Sequence, residues 1–325
     1  MNEKTILLTN RYDEGPLAII TSAVPDGFRL ITMGTDDRVD LLEKAKQADY
    51  FLVSGRQKID EELLSQAPAL RMIQRTGVGT DMIDRQAVKE RGLPVYINRG
   101  VNAHSVAEHT VLLMLASLRH LTRIVRDVRG GKWEKQKNGV RTHELKGKTV
   151  GLIGLGAIGR EVTAIVSAFG ANVIYYDVFR ADRDTEAELG LVFHELDDVL
   201  KEADIVSLHC PLTDENKGMI STAQLGIMKD DAVLVNTARG GLIDQAALAS
   251  ALEEGIIGGA ALDVYEKEPV DPASPLLTMD NVITTPHIGG VTYESFYAMM
   301  HKAMENIRLF DEGQQELIKD KLLEL

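Results

Sequence analysis

Residues 149–177, TVGLIGLGAIGREVTAIVSAFGANVIYYD, contain two apolar runs separated by a glycine-rich turn. The first run, 150–153, leads into three glycines at the spacing G-x-G-x-x-G, and the second run, 173–176, ends on Asp177. Between them, apolar residues recur at three- and four-residue steps, which is typical of one face of a helix. The order of strand, glycine turn, helix, strand and acid predicts a βαβ unit that binds a dinucleotide.

Each part of this pattern has a physical role. Gly154 permits the tight turn, Gly156 lets the backbone approach a pyrophosphate, and Gly159 lets the helix pack on the strand. The helix N-terminus offers unpaired N–H groups and a positive dipole end to the phosphates. Asp177 lies 18 residues after Gly159, where its carboxylate would bond the ribose hydroxyls and repel a 2′-phosphate. We therefore expect NAD rather than NADP, with Arg180 close enough in sequence to soften that preference.

The composition excludes several classes of protein. The chain has 325 residues, 44% of them hydrophobic and 26% charged, which suggests about two globular domains. Its net charge of -13 argues against nucleic acid or an anionic membrane as a partner. The single cysteine, Cys210, excludes an intrachain disulfide framework and a cysteine-cluster metal site. We therefore expect no metal. Because residues 1–10 lack the apolar segment of a signal peptide, we also expect a cytoplasmic protein.

The N-terminal part of the chain has its own α/β pattern. Residues 4–98 alternate short apolar runs with helical segments, which predicts a parallel sheet. The glycine-rich segment from Arg75 to Asp81 follows one of these runs, so its backbone N–H groups are suited to hold a small anion. Residues 104–128 carry one apolar stripe and predict a single helix of roughly 24 residues. The polar stretch that follows, which contains Trp133, suggests a surface arm or a subunit contact.

The α/β rhythm continues after the glycine-rich unit. Apolar runs end shortly before Arg239, Asp263 and His287. Ligands of open parallel sheets bind outside the carboxyl ends of the strands. These three side chains are therefore expected to converge on the dinucleotide.

Hydride transfer to a ketone requires a proton donor at the carbonyl oxygen, and histidine suits this role near neutral pH. Of eight histidines, His287 has the most suitable context, because it follows a strand and a proline and precedes two glycines. His104, His109 and His209 are the alternatives.

Two further side chains fit this chemistry. Arg239 lies between a strand end and two glycines, where its guanidinium could hold a substrate carboxylate with two hydrogen bonds. A carboxylate beside His287 would fix the tautomer of the imidazole. Glu268 and Glu266 are both candidates, and spacing does not decide between them.

These motifs resemble the D-isomer-specific 2-hydroxyacid dehydrogenases, especially the phosphoglycerate dehydrogenase and glyoxylate/hydroxypyruvate reductase branch. The resemblance is densest at residues 147–156, 236–241, 261–264 and 286–290. It implies NAD-dependent interconversion of a 2-keto acid and a D-2-hydroxy acid. It also implies an α/β fold of two Rossmann-like domains with doubly wound parallel sheets, an active-site cleft between the domains, and a homodimer.

The resemblance further implies how the domains and the site residues are distributed. Residues 1–99 with 289–325 would form the substrate domain, and residues 100–288 the NAD-binding domain. Arg239 would bind the carboxylate and polarise the keto group, Glu268 rather than Glu266 would pair with the histidine, and His287 would be the acid/base. The expected cofactor contacts are Gly154, Gly156, Ala157, Ile158, Gly159, Asp177, Cys210, Pro211, Thr237, Ala238, Asp263, Gly289 and Val78. The expected substrate contacts are Arg75, Thr76, Gly77, Val78, Gly79 and Arg239.

One departure from the family pattern bears on the substrate. Phosphoglycerate dehydrogenases tend to place an arginine directly after the strand that here ends at Val53, whereas this chain has Ser54, followed by Arg56 and Lys58. This favours an unphosphorylated keto acid. The alternatives are a 3-phosphoglycerate dehydrogenase, a phosphite dehydrogenase, or a corepressor that senses NAD(H) with the same fold. Formate dehydrogenase is disfavoured, because it has glutamine where Glu268 stands.

Overall fold

The computed structural model describes residues 3–55 and 57–324, and the chain divides into two compact units. Unit 1 comprises the chain up to Asn102 together with the segment from Tyr293 onward, and unit 2 comprises Ala103–Thr292. Both boundaries lie a few residues beyond those expected from the sequence. The assignment of substrate to one unit and cofactor to the other stays a prediction.

The N-terminal part of unit 1 alternates strands and helices. Its elements are β1 (Lys4–Leu8), α1 (Glu14–Ser22), β2 (Phe28–Ile31), α2 (Arg38–Ala45), β3 (Tyr50–Val53), α3 (Glu61–Ser65), β4 (Met72–Arg75), α4 (Arg85–Glu90) and β5 (Val95–Tyr96). The five strands form one parallel sheet in the order β2-β1-β3-β4-β5. Strands β1, β3, β4 and β5 are almost entirely buried, as expected for a parallel sheet covered by helices on both faces, whereas the edge strand β2 is buried only at Ile31.

Unit 2 contains a larger sheet of the same kind. Its first elements are α5 (Ala103–Leu118), α6 (Leu121–Arg129), α7 (Lys135–Gly139), β6 (Thr149–Ile153), α8 (Ala157–Ala168), β7 (Asn172–Tyr176), α9 (Arg183–Leu189), β8 (Leu191–Phe193) and α10 (Leu196–Glu202). They are followed by β9 (Ile205–Leu208), α11 (Thr222–Leu225), β10 (Val233–Asn236), α12 (Gln245–Glu253), β11 (Gly259–Leu262) and β12 (Val282–Thr284). The seven strands are parallel in the order β12-β11-β10-β9-β6-β7-β8. Two doubly wound parallel sheets therefore confirm the predicted fold class.

The last helix, α13 (Tyr293–Asp311), completes unit 1. Its buried face packs into the same core cluster as Ile6, Tyr50 and Met72 of the sheet. The buried side chain of Asn98 donates hydrogen bonds to the carbonyl of Met299 on α13, at 2.9 Å, and to the carbonyl of Thr76, at 3.1 Å. One amide thus joins the last helix to the loop that follows β4.

The prediction of one long helix over residues 104–128 was wrong. The helix ends at Leu118, and α6 begins at Leu121 after His120, whose φ of +47° is left-handed. The apolar stripe continues across the break, but it changes environment, because Val111 and Met114 are buried whereas Val128 is 49% exposed. No described helix is both long and apolar enough to cross a lipid bilayer.

Candidate active site

The candidate site of unit 2 is built from loops at one edge of the sheet. Because all seven strands are parallel, their carboxyl ends meet at this edge. The loops after β6, β7, β9, β10, β11 and β12 carry most of the predicted site residues: Gly154, Gly156, Ala157, Ile158, Gly159, Asp177, Cys210, Pro211, Thr237, Ala238, Arg239, Asp263, Glu268, His287 and Gly289.

The glycine turn after β6 has the geometry that its spacing predicts. Gly154 has a φ of +104°, and a Cβ there would lie 2.7 Å from the backbone N of Cys210. A Cβ on Gly159 would lie 2.4 Å from the carbonyl oxygen of Gly154, so only glycine allows α8 to approach the turn this closely. At Gly156 a Cβ would meet no heavy atom within 4 Å, and no side chain caps this end of α8. The N-terminus of α8 is therefore open to an anion.

Asp177 braces this turn from the end of β7. Its Oδ2 accepts a hydrogen bond from the N–H of Leu155 at 2.7 Å, and its Oδ1 accepts one from the N–H of Phe179 at 2.9 Å. A carboxylate has about four acceptor positions, so both oxygens can accept further donors. The open helix terminus beside a carboxylate at the next strand end fits a dinucleotide, with backbone N–H groups for the phosphates and an acceptor for the ribose.

The turn after β10 presents Arg239. The side chain of Asn236 closes this turn, because its Nδ2 donates to the carbonyl of Arg239 at 2.9 Å and its Oδ1 accepts from the N–H of Ala238 at 3.0 Å. A Cβ on Gly240 would lie 1.9 Å from the carbonyl carbon of Tyr265, so no other residue fits there. The guanidinium of Arg239 donates to the carbonyl of Ala238 at 2.7 Å, which orients its stem.

Glu268 and His287 form a hydrogen-bonded pair. The Nδ1 of His287 lies 2.7 Å from Oε2 of Glu268, and Oε1 of Glu268 accepts from the N–H of Tyr265 at 3.1 Å. By contrast, Glu266 accepts from the N–H of Gln245, at 3.2 Å, at the start of α12. The geometry therefore pairs the histidine with Glu268, as the family resemblance implies.

The carboxylate of Glu268 stays ionised into more acidic solution than an ordinary glutamate. Burial opposes ionisation of Glu268, but the hydrogen bond and the positive charge of His287 outweigh it, and the pKa of Glu268 is lowered. The side chains of His287 and Glu268 are 50% and 37% exposed, so the imidazole can exchange protons with a ligand or with solvent.

Asp263 holds the loop that carries His287. Its side chain is 2% exposed and accepts from Thr285 Oγ1 at 2.6 Å, from the N–H of Ile288 at 2.9 Å and from the N–H of Gly289 at 2.8 Å. Its carbonyl accepts from the N–H of His287 at 2.7 Å. His287 has a left-handed φ of +55°, which these bonds on either side impose.

The same carboxylate explains where His109 lies. His109 Nε2 is 3.1 Å from Thr285 Oγ1 and 3.6 Å from Asp263 Oδ1. Burial raises the pKa of Asp263, but the bonds from His109, Thr285 and the two loop amides outweigh it, and the net pKa is lowered. His109 thus contacts Thr285 and Asp263, the residues that hold the loop of His287.

The two other histidine candidates have different surroundings. His209 is half-buried, and its Nε2 lies 2.9 Å from Ser207 Oγ. Desolvation of its ring lowers its pKa to about 4, so it is neutral at physiological pH. His104 is 67% exposed and lies beside Glu161 and Glu108, whose hydrogen bonds and charges raise its pKa. This is the environment of a surface ion pair.

The remaining predicted residues, Arg75, Thr76, Gly77, Val78 and Gly79, belong to unit 1. The guanidinium of Arg75 donates to the carbonyl of Gly79 at 2.8 Å, to that of Val53 at 3.2 Å and to Thr76 Oγ1 at 3.0 Å. These bonds make Arg75 a brace of its own loop. Ser54 Oγ donates to Asn10 Oδ1 at 2.6 Å, and Arg56 lies outside the described residues.

Two residues that help to build this site were missing from the sequence-based set. Asn236 closes the turn of Arg239, and Thr285 connects Asp263 with His109. Asn236 is the last residue of β10 and Thr285 directly follows β12. Polar residues at the ends of apolar runs are therefore the signal that could have identified them.

Comparison with known families adds independent information. Residues 111–289 match the family model described as D-isomer specific 2-hydroxyacid dehydrogenase, NAD binding domain. A glyoxylate reductase of Aeropyrum pernix is 41% identical, over 84% of this chain and 83% of that protein. A D-3-phosphoglycerate dehydrogenase of Archaeoglobus fulgidus is 42% identical over 79% of this chain, which spans 48% of that longer protein.

The fold is also similar to that of a solved structure. The crystal structure of D-lactate dehydrogenase from Aquifex aeolicus, complexed with NAD and lactic acid, has a TM-score of 0.87. The two chains are 32% identical, and the similarity covers 98% of this chain and 99% of that one.

We predict that Asp263→Asn destabilises unit 2 in a pH-dependent way. At pH 7 the free energy of unfolding should fall by about 2 kcal/mol, because charge-assisted bonds to a buried carboxylate are lost. A carboxylate with a lowered pKa stabilises the fold above its unfolded pKa of about 3.9 and loses that contribution as pH falls through the lower folded value. The difference between variant and wild type should therefore narrow at pH 4 and below. Urea unfolding at several pH values measures both effects.

The matched control is Asp271→Asn, since Asp271 is an exposed loop residue that accepts one backbone bond, from Ala273. It should change the free energy of unfolding by less than about 0.5 kcal/mol. A destabilisation by Asp263→Asn that is the same at every pH would contradict the assignment of its effect to the ionised carboxylate.

Proposed function

The chain belongs to the D-isomer-specific 2-hydroxyacid dehydrogenase family, NAD-dependent oxidoreductases that interconvert 2-keto and 2-hydroxy acids, and we propose that Arg239, Glu268 and His287 carry its reaction. The observation that supports this most directly is the hydrogen bond between His287 and Glu268, 2.7 Å long, beside a loop held by Asp263. NAD(H), when bound, supplies or accepts the hydride.

The three side chains divide the remaining work. Because Nδ1 of His287 faces Glu268, Nε2 is the atom that would give a proton to the keto oxygen during reduction and take it back during oxidation. Glu268 holds the imidazole in this orientation through the hydrogen bond to Nδ1. Arg239 would hold the substrate carboxylate in two-point fashion and polarise the keto group.

The cofactor would be held by the loops at the strand ends. The N–H groups at the start of α8 would bind the pyrophosphate and Asp177 the ribose hydroxyls. Cys210, Pro211, Thr237, Ala238, Asp263 and Gly289 would complete the contacts from the neighbouring loops. The loop from Arg75 to Gly79 of unit 1 would contribute substrate contacts through its backbone, and Val78 a contact with the cofactor.

We propose a small unphosphorylated 2-keto acid as the substrate. Ser54 stands where phosphoglycerate-directed relatives tend to have an arginine, and its hydroxyl bonds Asn10. The glyoxylate reductase of Aeropyrum pernix also matches this chain over most of both lengths, whereas the chain spans about half of the phosphoglycerate dehydrogenase of Archaeoglobus fulgidus. A phosphorylated keto acid is the second candidate.

A substrate panel tests this proposal. NADH oxidation should be measured with glyoxylate, pyruvate, hydroxypyruvate and phosphohydroxypyruvate, and NAD reduction with phosphite. We expect the highest kcat/KM with one of the unphosphorylated keto acids. His287→Gln should lower kcat by about two to four orders of magnitude, the usual contribution of general acid catalysis, while the Kd for NADH changes little.

His143→Gln is the control, because His143 is an exposed histidine of the same unit, and it should keep wild-type kinetics. Turnover of phosphite alone, or binding of NADH without turnover of any of these compounds, would contradict the proposal and favour the phosphite dehydrogenase or the corepressor interpretation. A preference for phosphohydroxypyruvate would contradict the proposed substrate only.

The pH dependence of catalysis tests the role of Glu268. Glu268→Gln removes a negative charge close to the imidazole, so the protonated form that reduces the keto acid is less stable. The alkaline limb of kcat/KM for reduction should move to lower pH, because the variant loses the interaction that lowers the pKa of Glu268 in the wild type. The acidic limb for oxidation of the hydroxy acid should move in the same direction.

Glu266→Gln is the matched control, since it removes the same charge from the same loop but from a residue that bonds Gln245 instead. If the limbs of the pH profiles of kcat/KM move equally in both variants, or do not move in either, Glu268 does not act on the imidazole.

We also propose that the chain forms a homodimer through unit 2. Helix α6 and the segment after it border an apolar groove of about 530 Å³ whose lining includes Leu112, Leu121, Val128 and Trp133. Trp133 is 83% exposed and Leu112 is 54% exposed. An apolar surface of this kind on a water-exposed face is typical of an interface.

We expect Trp133→Glu to convert the dimer to a monomer, because a charge placed at the centre of an apolar interface would be left unpaired. Sedimentation velocity or light scattering measures the mass directly. Phe179→Glu is the control, since Phe179 is 86% exposed and lies on the loop after β7. A wild-type protein that is already monomeric, or a Trp133→Glu variant of unchanged mass, would refute this interface.

A further inference from the structure

The loop after β7 contains an arginine that is held by an ion pair. Arg180 follows Asp177 by three residues, and its guanidinium grips the carboxylate of Glu186 with two hydrogen bonds. Nε lies 2.8 Å from Oε1, and the second donor nitrogen, Nη2, lies 3.0 Å from Oε2. The side chain of Arg180 is 57% exposed, whereas that of Glu186 is only 12% exposed.

Glu186 is itself anchored from the other side. It lies on α9, and its Oε1 also accepts from the hydroxyl of Tyr175 at 2.8 Å. The Tyr175 hydroxyl in turn accepts from the N–H of Ala181 at 3.0 Å, and the residue is fully buried. Because its anchor is part of the core, Glu186 does not follow Arg180 if the arginine moves.

A third contact limits Arg180 further. The Cζ atom of Arg180 lies 4.8 Å from the centre of the Phe193 ring, which is a favourable cation–π distance. The hydrogen bond from Arg180, followed by that from Tyr175, lowers the pKa of Glu186, so the carboxylate remains charged across the physiological range.

The position of Arg180 gives this ion pair a chemical meaning. An arginine near the acid at the end of the second strand is the group that accommodates the 2′-phosphate of NADP in folds of this type. Arg180 is the first arginine after Asp177, but it spends its bidentate donors on Glu186. The two bonds to Glu186 fix the position of the guanidinium, which would have to break both before it could swing away from Glu186 toward a ribose phosphate.

We propose that Glu186 is a specificity-determining residue, which holds Arg180 against Phe193 and so withholds it from the 2′-phosphate of NADP(H). The preference for NAD over NADP then depends on two acids. Asp177 repels the 2′-phosphate, and Glu186 holds Arg180, the positive charge that could bind this phosphate. This inference rests on the proposed function, in which Asp177 faces the adenosine ribose.

Equilibrium binding tests the inference without turnover. The Kd values of NADPH and NADH should be measured by nicotinamide fluorescence for the wild type and Glu186→Gln. The glutamine keeps the size and an acceptor for Tyr175 but weakens the grip on Arg180. We expect NADPH to bind about five-fold more tightly, the effect of one charge-assisted bond at a partly exposed site. The Kd of NADH should stay within about two-fold of the wild-type value.

Two controls separate this mechanism from a general change of charge. Glu188→Gln removes the same charge from an exposed residue of the same helix and should not tighten NADPH binding to this extent. The double variant Glu186→Gln with Arg180→Ala should return the Kd of NADPH to the wild-type value, because the released arginine is gone. If Glu186→Gln does not fold, Glu186→Asp keeps the net charge but shortens the reach of the carboxylate, and it should also tighten NADPH binding.

The outcomes distinguish this inference from the proposed function. If Asp177→Ala does not weaken NADH binding, the cofactor placement itself is wrong. If Asp177→Ala weakens NADH binding but Glu186→Gln and Glu188→Gln have equal effects on NADPH, only the role of Glu186 is refuted. The role of Glu186 is also refuted if Glu186→Gln still binds NADPH more tightly after Arg180 has been replaced by alanine.

Discussion

The arrangement of the site depends on one buried carboxylate. Asp263 receives a hydroxyl and two backbone N–H groups within 3 Å, and these bonds hold the chain that leaves β12 in the shape that presents His287. A buried charge is costly unless it is fully hydrogen-bonded. Loss of one donor would therefore leave the carboxylate under-bonded and destabilise the whole loop arrangement. The acid/base candidate therefore has its orientation set by a residue that need not exchange a proton itself.

Around the glycine turn, the shape of the loops is fixed by steric constraints and not by a buried charge. Gly154 and Gly159 leave no room for a Cβ, and Gly240 sits against the backbone of Tyr265. These contacts bring backbone against backbone at the carboxyl ends of β6, β10 and β11. Close packing of loops at these ends is what lets short turns carry the functional side chains without long, mobile insertions.

Much of the fold and of the candidate site was predictable from local patterns. Strands β10 and β11 are fully buried and β7 is buried over its three central residues. All three read as short apolar runs, and Asp177, Asn236 and Asp263 mark their ends. Parallel connectivity then brings these ends together without any knowledge of packing. Pairing of His287 with Glu268 rather than Glu266 was different, because two carboxylates separated by one residue cannot be distinguished by spacing, and only the family pattern selected one.

What local patterns could not predict depends on contacts between distant parts of the chain. The break between α5 and α6 falls at the left-handed His120, where the sequence has neither a glycine nor a proline. The contact of His120 is with a residue distant in sequence, because its Nε2 lies 3.0 Å from the carbonyl oxygen of Arg141. Arg75 was predicted to contact the substrate, but its hydrogen bonds to the carbonyls of Gly79 and Val53 and to the hydroxyl of Thr76 were not indicated by any local pattern. The grip of Glu186 on Arg180 likewise depends on Tyr175 and Phe193, which no periodicity connects to them.

The amide bridge from Asn98 to Met299 has a consequence for biosynthesis. Unit 1 starts with the first strand of the chain but contains α13, so 190 residues of unit 2 (103–292) are translated between its two parts. At a translation rate of about 5–20 residues per second, that interval lasts roughly 10–40 s. During this time the sheet of unit 1 lacks the cover that Met300, Met304 and Ile307 of α13 later give to its apolar surface. Unit 2 can therefore complete its own fold first, whereas unit 1 cannot close its core until α13 has been synthesised.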